Sequence, residues 1–174
     1  MNLPQARDKK QLVPDWIDEE FEKLRKRRDQ AQQRNEAFSR LARQKWRSIV
    51  DAVERDASKL DSKLAELERG QAVKVIRVTR DGDVIVVDKQ SQPSYRVCLR
   101  LDLSAKSIRI DRQVVIGPGN AKREVSERLV LELDDTGDDV NIEHPQQGQM
   151  TVDDVSKYAL LPIVTTLEKI LARQ

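Results

Sequence analysis

The chain has 174 residues, of which 38% are hydrophobic and 36% are charged, with a formal net charge of +2. This composition suits one domain, or one domain with an arm, and is too apolar and too patterned for wholesale disorder. The near-zero net charge names no partner, no apolar run approaches the ~20 residues a bilayer span needs, and the lone Cys98 leaves no intrachain disulfide, so a reducing, cytoplasmic setting is expected.

Residues 1–13 are polar and read as a flexible segment. Pro14-Asp15-Trp16 has the chemistry of a helix start, with Asp15 as cap and Asp18, Glu19 and Glu20 complementing the helix dipole. The 55 residues between Pro14 and Gly70 then contain neither glycine nor proline, which predicts one long helix over 14–70 ended by a glycine cap. At 1.5 Å per residue it would run roughly 80 Å, about twice the width of a compact domain of this length. The helix therefore either folds back or finds cover outside its own protomer.

Its second half carries the clearest apolar stripe: Ala42, Trp46, Ile49, Val53, Ala57, Leu60, Leu64 and Leu67, a heptad seam with one stutter. We read Ala42, Trp46, Ile49, Val53, Leu60, Leu64 and Leu67 as a self-association contact, a dimer being the favoured assembly. Upstream, Leu24, Ala31 and Phe38 recur at sevens, with Arg28 and Asn35 on the positions between. A polar seam residue weakens packing and fixes register. Both tryptophans and both phenylalanines fall in this helix, where they serve either the chain's own core or a contact with another molecule.

Residues 22–47 carry a net charge of +7, from Lys23, Arg25, Lys26, Arg27, Arg28, Arg34, Arg40, Arg43, Lys45 and Arg47 against three acidic residues. The alternative functional reading is nucleic-acid binding by this basic stretch; the plainer one is a solvated helix face.

From residue 72 the apolar period changes from helical to alternating. Residues 72–79 and 84–88 flank an Arg80-Asp81-Gly82-Asp83 turn and read as a hairpin that is apolar on both faces, needing cover from the long helix or a second protomer. In the third strand Tyr95, Val97, Leu99, Leu101 and Leu103 face one side, and Arg96, Cys98, Arg100 and Asp102 the other. A fourth strand carries Ile108, Ile110, Val114 and Ile116, and Gly117-Pro118-Gly119-Asn120 breaks it. Val125, Leu129, Leu131 and Leu133 mark a fifth, and Val140 and Ile142 a short sixth. After a linker from His144 to Gln149, Thr151 and Asp154 have capping-box spacing ahead of a helix over 152–172. Its stripe is Val155, Ala159, Ile163, Leu167 and Ile170 or Leu171, and Pro162 inside it should kink it.

The expected fold is α+β: a long N-terminal helix, an antiparallel meander of five or six strands, and a C-terminal helix packed on one sheet face. The sheet and last helix are expected to form one body over 71–174, with the helix over 14–70 as a coiled-coil arm. The catalytic inventory is thin. His144 lies in a Pro/Gly/Gln linker and reads as an exposed loop residue, and Cys98 as a small half-buried side chain without a base nearby in sequence. Asp134, Asp135, Asp138, Asp139 and Glu143 lack calcium-loop spacing and fit a hairpin turn, and no phosphate loop, dinucleotide fingerprint or metal motif is present. No metal, cofactor or catalytic residue is assigned. The expected protein is a non-catalytic oligomeric interaction or scaffolding module without a membrane role. Its partner is a second copy or another protein; a carboxylate enzyme is the remaining alternative.

Overall fold

The structure, a computed structural model, describes residues 16–67, 75–90, 93–116 and 121–171, and the side chains of these except 67, 116, 121 and 166–171. The proposed start at Pro14-Asp15, the Gly70 cap, the break at Gly117–Asn120 and the side chains of Leu67, Leu167, Ile170 and Leu171 lie outside these residues.

The fold is α+β. Helix α1 (Trp16–Leu67) precedes seven strands: β1 (Ile76–Asp81), β2 (Val84–Lys89), β3 (Ser94–Asp102), β4 (Ser107–Ile116), β5 (Ala121–Leu133), β6 (Val140–His144) and β7 (Gly148–Met150). Helix α2 (Val152–Leu171) ends the described chain. The strands form one open antiparallel sheet in sequence order, β1 to β7. The seventh strand lies in the segment read from sequence as a linker.

The described chain divides into two compact units, with the boundary between Glu36 and Ala37. The division thus falls inside α1, after Glu36, not at the end of the helix. In the first unit, every described side chain from Trp16 to Glu36 is exposed.

In the second unit, one sheet face is covered and the other is bare. The covered face carries Ile85 and Val87 of β2, Tyr95, Val97, Leu99 and Leu101 of β3, Ile108 and Ile110 of β4, Leu129 and Leu131 of β5, and Val140 and Ile142 of β6, all buried. The register aligns them: Ile85 opposes Leu99, Leu99 opposes Ile110, and Ile108 opposes Leu129. The cover comes from both helices. Phe38, Ala42, Trp46, Ile49, Val50, Val53, Ala57 and Leu64 of α1 share one cluster with the strand residues and with Val155, Ala159, Leu160 and Ile163 of α2. Such a two-layer arrangement is how a one-sided sheet hides its apolar face.

Polar contacts fix the path of α1 over the sheet. Lys106, in the β3–β4 turn, places its ammonium 5.1 Å from the Phe38 ring centre. Arg43 meets Asp83 in the β1–β2 turn at 3.7 Å, and Lys45 donates to Asp139 ahead of β6 at 2.7 Å. At the far end, Asp61 Oδ1 accepts from the Val75 and Ile76 amides at 2.8 and 2.6 Å, satisfying the start of β1. Between these ends Arg55 bonds Asp153 at 2.8 Å and Ser156 donates to Asp56 at 2.8 Å, tying α1 to α2.

Local chemistry explains the turns. Asp81 pairs Val84 across a two-residue loop in which Gly82 has φ +53°, the positive value wanted at the first position of a type II′ turn. His144 pairs Gly148 across three residues, Gln147 N–H donates to His144 O at 3.3 Å, and Gly148 has φ +76°. This is the three-residue hairpin loop closed by a left-handed residue. The capping box at α2 is formed: Asp154 N–H donates to Thr151 Oγ1 at 3.1 Å, and Thr151 N–H donates to Asp154 Oδ2 at 2.9 Å.

Candidate functional site

The seven proposed seam residues sit as follows. Ala42, Trp46, Ile49, Val53 and Leu64 are buried at 4% exposure or less within a single chain, and Leu60 is half-buried against the same core. The Leu67 side chain is outside the described residues. The apolar atoms of the other six pack into the core shared with the sheet and α2, so this part of the stripe is already in use within one protomer. The aromatic residues of α1 divide accordingly: Phe38 and Trp46 are core, whereas Trp16 and Phe21 are 71% and 59% exposed.

Ile17 and Leu24 are also exposed, at 43% and 55%. At about 100° per residue, Ile17, Phe21, Leu24 and Ala31 lie on the same stripe as Phe38, Ala42 and Ile49. The apolar line on α1 is therefore continuous in sequence. It is buried from Phe38 onward and exposed before Glu36.

Among the ten basic residues of 22–47, four have ion-pair partners: Lys23 with Glu20, Lys26 with Glu22, Arg43 with Asp83 and Lys45 with Asp139. Among the described residues Arg25, Arg27, Arg28, Arg34, Arg40 and Arg47 have none. A second basic feature lies on the bare sheet face, where Arg100 opposes Arg109 and Arg109 opposes Arg128 across β3, β4 and β5. Directly opposed like charges destabilise a strand pair. Here Asp111 relieves the row by accepting from Arg109 Nε at 2.8 Å, and Asp88, opposite Arg96, adds a further carboxylate. Arg96, Cys98, Arg109, Asp111, Gln113 and Ser126 line a shallow groove of about 410 Å³ on this face.

The polar cluster with the most chemistry sits beside α2, and sequence reasoning missed it. His144 is 4% exposed, not an exposed loop residue; this corrects the reading of residues 144–149 as a linker. As the last residue of β6 it continues the inward alternation of Val140 and Ile142, and that period of two was the available signal. Its Nδ1 accepts from the Gln146 and Gln147 amides at 3.1 and 3.2 Å, so the ring proton is on Nε2, which lies 3.0 Å from Tyr158 Oη. The Tyr158 hydroxyl also favours the ionised form of Glu127. Glu127 is held by Arg112 Nη1, and the Arg112 guanidinium lies 4.2 Å from the Tyr158 ring centre. Arg112 falls in step with Ile108, Ile110 and Val114, and Glu127 with Leu129 and Leu131, so alternation places both on the covered face.

Proline chemistry accounts for another of these bonds. Pro162 has no amide to offer the carbonyl of Tyr158 four residues earlier. Arg112 Nη2 donates to that carbonyl at 3.2 Å, and Tyr95 Oη donates to the next one, Ala159 O, at 2.9 Å. Two side chains from the sheet thus satisfy the helix where proline interrupts it. Two buried donors have no partner among the described residues, Trp46 Nε1 and Arg112 Nε.

The electrostatics move Glu127 and the two tyrosines away from neutrality. Burial pushes the Glu127 carboxyl up, but Tyr158, Arg112 and His144 outweigh it and hold Glu127 below its ordinary value. Burial and the hydrogen bond to Glu127 raise the Tyr158 hydroxyl. Burial also raises Tyr95. An acid–base pair is tuned toward the working pH, whereas these groups are driven away from it. The cluster locks α2 onto β4, β5 and β6.

The other candidates are equally local. Asp134 accepts from Thr136 Oγ1 at 2.9 Å and from the Asp138 amide at 2.9 Å, as a turn requires. Cys98 is half-buried on the bare face. Among the described residues no group of three or more His, Cys, Asp or Glu is placed to hold a metal, and no helix is long and apolar enough to cross a membrane. Comparison with protein-family models, curated proteins and solved structures gave no match to this chain.

Proposed function

We propose that this chain is a non-catalytic, self-associating interaction or scaffolding module of the cytoplasm, and that the contact is the N-terminal stretch of α1, before Glu36. The observation that carries this is the exposure of Trp16, Ile17, Phe21 and Leu24, which are four of the seven exposed large hydrophobic residues among those described. Solvating Phe, Leu and Ile side chains forgoes about 1.5–3 kcal/mol each, a gain available on association. Against an association cost of about 4–15 kcal/mol this supports a reversible pair, not an obligate one. The test is sedimentation equilibrium on the wild type and on Phe21→Asp with Leu24→Asp. The wild type dimerises with rising concentration and the variant stays monomeric with an unchanged circular-dichroism spectrum. Equal masses for the two proteins would end the proposal.

A second reading is nucleic-acid binding through α1. It draws on the six arginines of residues 25–47 without an ion pair among the described residues. Phosphate contacts make affinity fall steeply with salt. Duplex binding that is absent at low salt refutes this reading and leaves self-association untouched.

A further inference from the structure

We infer that two copies pair through residues 16–29 of α1 in antiparallel orientation, about a twofold axis passing between Glu22 and Lys23. The inference rests on the proposed self-association and adds the partner's orientation. It comes from the order of charge along the exposed stretch. Residues 18–22 are acidic at Asp18, Glu19, Glu20 and Glu22, and residues 23–28 are basic at Lys23, Arg25, Lys26, Arg27 and Arg28. Within residues 18–28 the switch from one sign to the other occurs once, between Glu22 and Lys23, and Asp29 ends the basic run.

On a heptad reading Phe21 and Arg28 take a positions and Leu24 takes a d position. Antiparallel helices layer a against d of the partner. With the axis at the charge switch, Phe21 packs on the partner's Leu24, and Leu24 on the partner's Phe21. The same register flanks the seam with Asp18 against the partner's Arg25, and Glu20 against the partner's Arg27. Symmetry doubles each, giving four attractive pairs. Among the described residues Glu20 pairs in the monomer with the exposed Lys23 at 2.7 Å, a weak contact that exchanges readily.

A parallel, in-register pair fails on the same residues. It sets five cations of residues 23–28 beside five others and places Arg28 against its own copy on the seam. It also extends the contact toward Phe38, whose ring is 3% exposed and already in the core of its own chain. The antiparallel overlap ends by residue 29 and needs nothing from the covered stripe. Two apolar layers with four flanking pairs make a concentration-dependent dimer.

Two spin-labelled full-length variants, each in a Cys98→Ser background, decide the matter: Lys26→Cys and Gln33→Cys, seven residues apart and so on the same outward helix position. In the antiparallel pair, residue 26 lies opposite residue 19, and residue 33 lies beyond the overlap. The axial separations between like labels are then about 10 Å and about 31 Å. Dipolar distances that differ in this sense support the inference. Equal short distances at both positions overturn the orientation and leave self-association standing. If sedimentation finds only monomer, both fall. As a second measure, Asp18→Lys with Glu20→Lys weakens the homodimer about tenfold, from four pairs of a few tenths of a kcal/mol each. An unchanged dissociation constant overturns the charge argument.

Discussion

Ile49→Ala separates the two uses to which the stripe on α1 can be put. Ile49 is fully buried within a single chain, among strand residues that include Leu99 and Ile110. Truncation removes its transfer free energy and leaves a cavity that a sheet-backed site collapses poorly, a cost of about 3–4 kcal/mol. Residues 37–174 unfold with an entropy of roughly 2.1 cal/mol/K per residue, or ~0.3 kcal/mol/K for the unit, so the melting temperature falls by about 10–14 °C. The assay is thermal circular dichroism at two protein concentrations about a hundredfold apart, since association makes a melting point depend on concentration. The expected loss is the same at both. Phe21→Ala, in the exposed stretch, moves the melt by no more than ~0.5 kcal/mol equivalent at the lower concentration. The reasoning is refuted if Ile49→Ala leaves the dilute melt unchanged and abolishes a concentration dependence present in the wild type. That result would make Ile49 part of an interface.

Two further outcomes test the cluster beside α2 and the charge pairs. Glu127→Gln keeps the volume but leaves Arg112 without its carboxylate; side-chain exposures of 10% for Arg112 and 28% for Glu127 put the pair between surface and interior. The expected cost is about 2–3 kcal/mol, read as a lower urea midpoint at unchanged slope, and a midpoint equal to the wild type refutes the lock. The second outcome concerns acid. The hydrogen bond from Arg55, opposed by burial, holds Asp56 below the ordinary carboxylate value, and Lys45 does the same for Asp139. Glu127 is likewise below its ordinary value. Carboxylates lowered on folding stabilise the native state above those ordinary values, and the contribution is lost as pH falls through the lower folded ones. The urea midpoint therefore stays level from neutrality down to the ordinary carboxylate range and drops below it. Asp139→Asn shrinks that drop, and an equal drop in the variant removes Asp139 from the account.

Much of the fold is legible in the residues, because local periodicity carries it. The strand faces follow from alternation in Tyr95 to Leu101 and in Leu129 and Leu131, and the α2 cap follows from Thr151 and Asp154. The same alternation in principle places Arg112, Glu127 and His144 on the covered face. Turn-forming neighbours hide it at His144, since Pro145 and Gly148 read equally well as a linker and as the hairpin loop they form. Pro162 marks carbonyls that need other donors, but the donors, Arg112 and Tyr95, come from strands 46 to 64 residues away in sequence.

The sequence by itself determined that the stretch forming α1 is helical and that its second half carries an apolar line, because helical propensity and a 3.6-residue period are properties of neighbours along the chain. It could not determine where that line changes use. Ile17, Phe21 and Leu24 repeat with the same spacing as Ala42, Trp46 and Ile49, and nothing local distinguishes an exposed apolar residue from a buried one. Only the tertiary structure decided that the sheet and α2 cover the line from Phe38 onward. Burial depends on which surfaces meet in space, and strands far along the chain supply the surface that meets this helix.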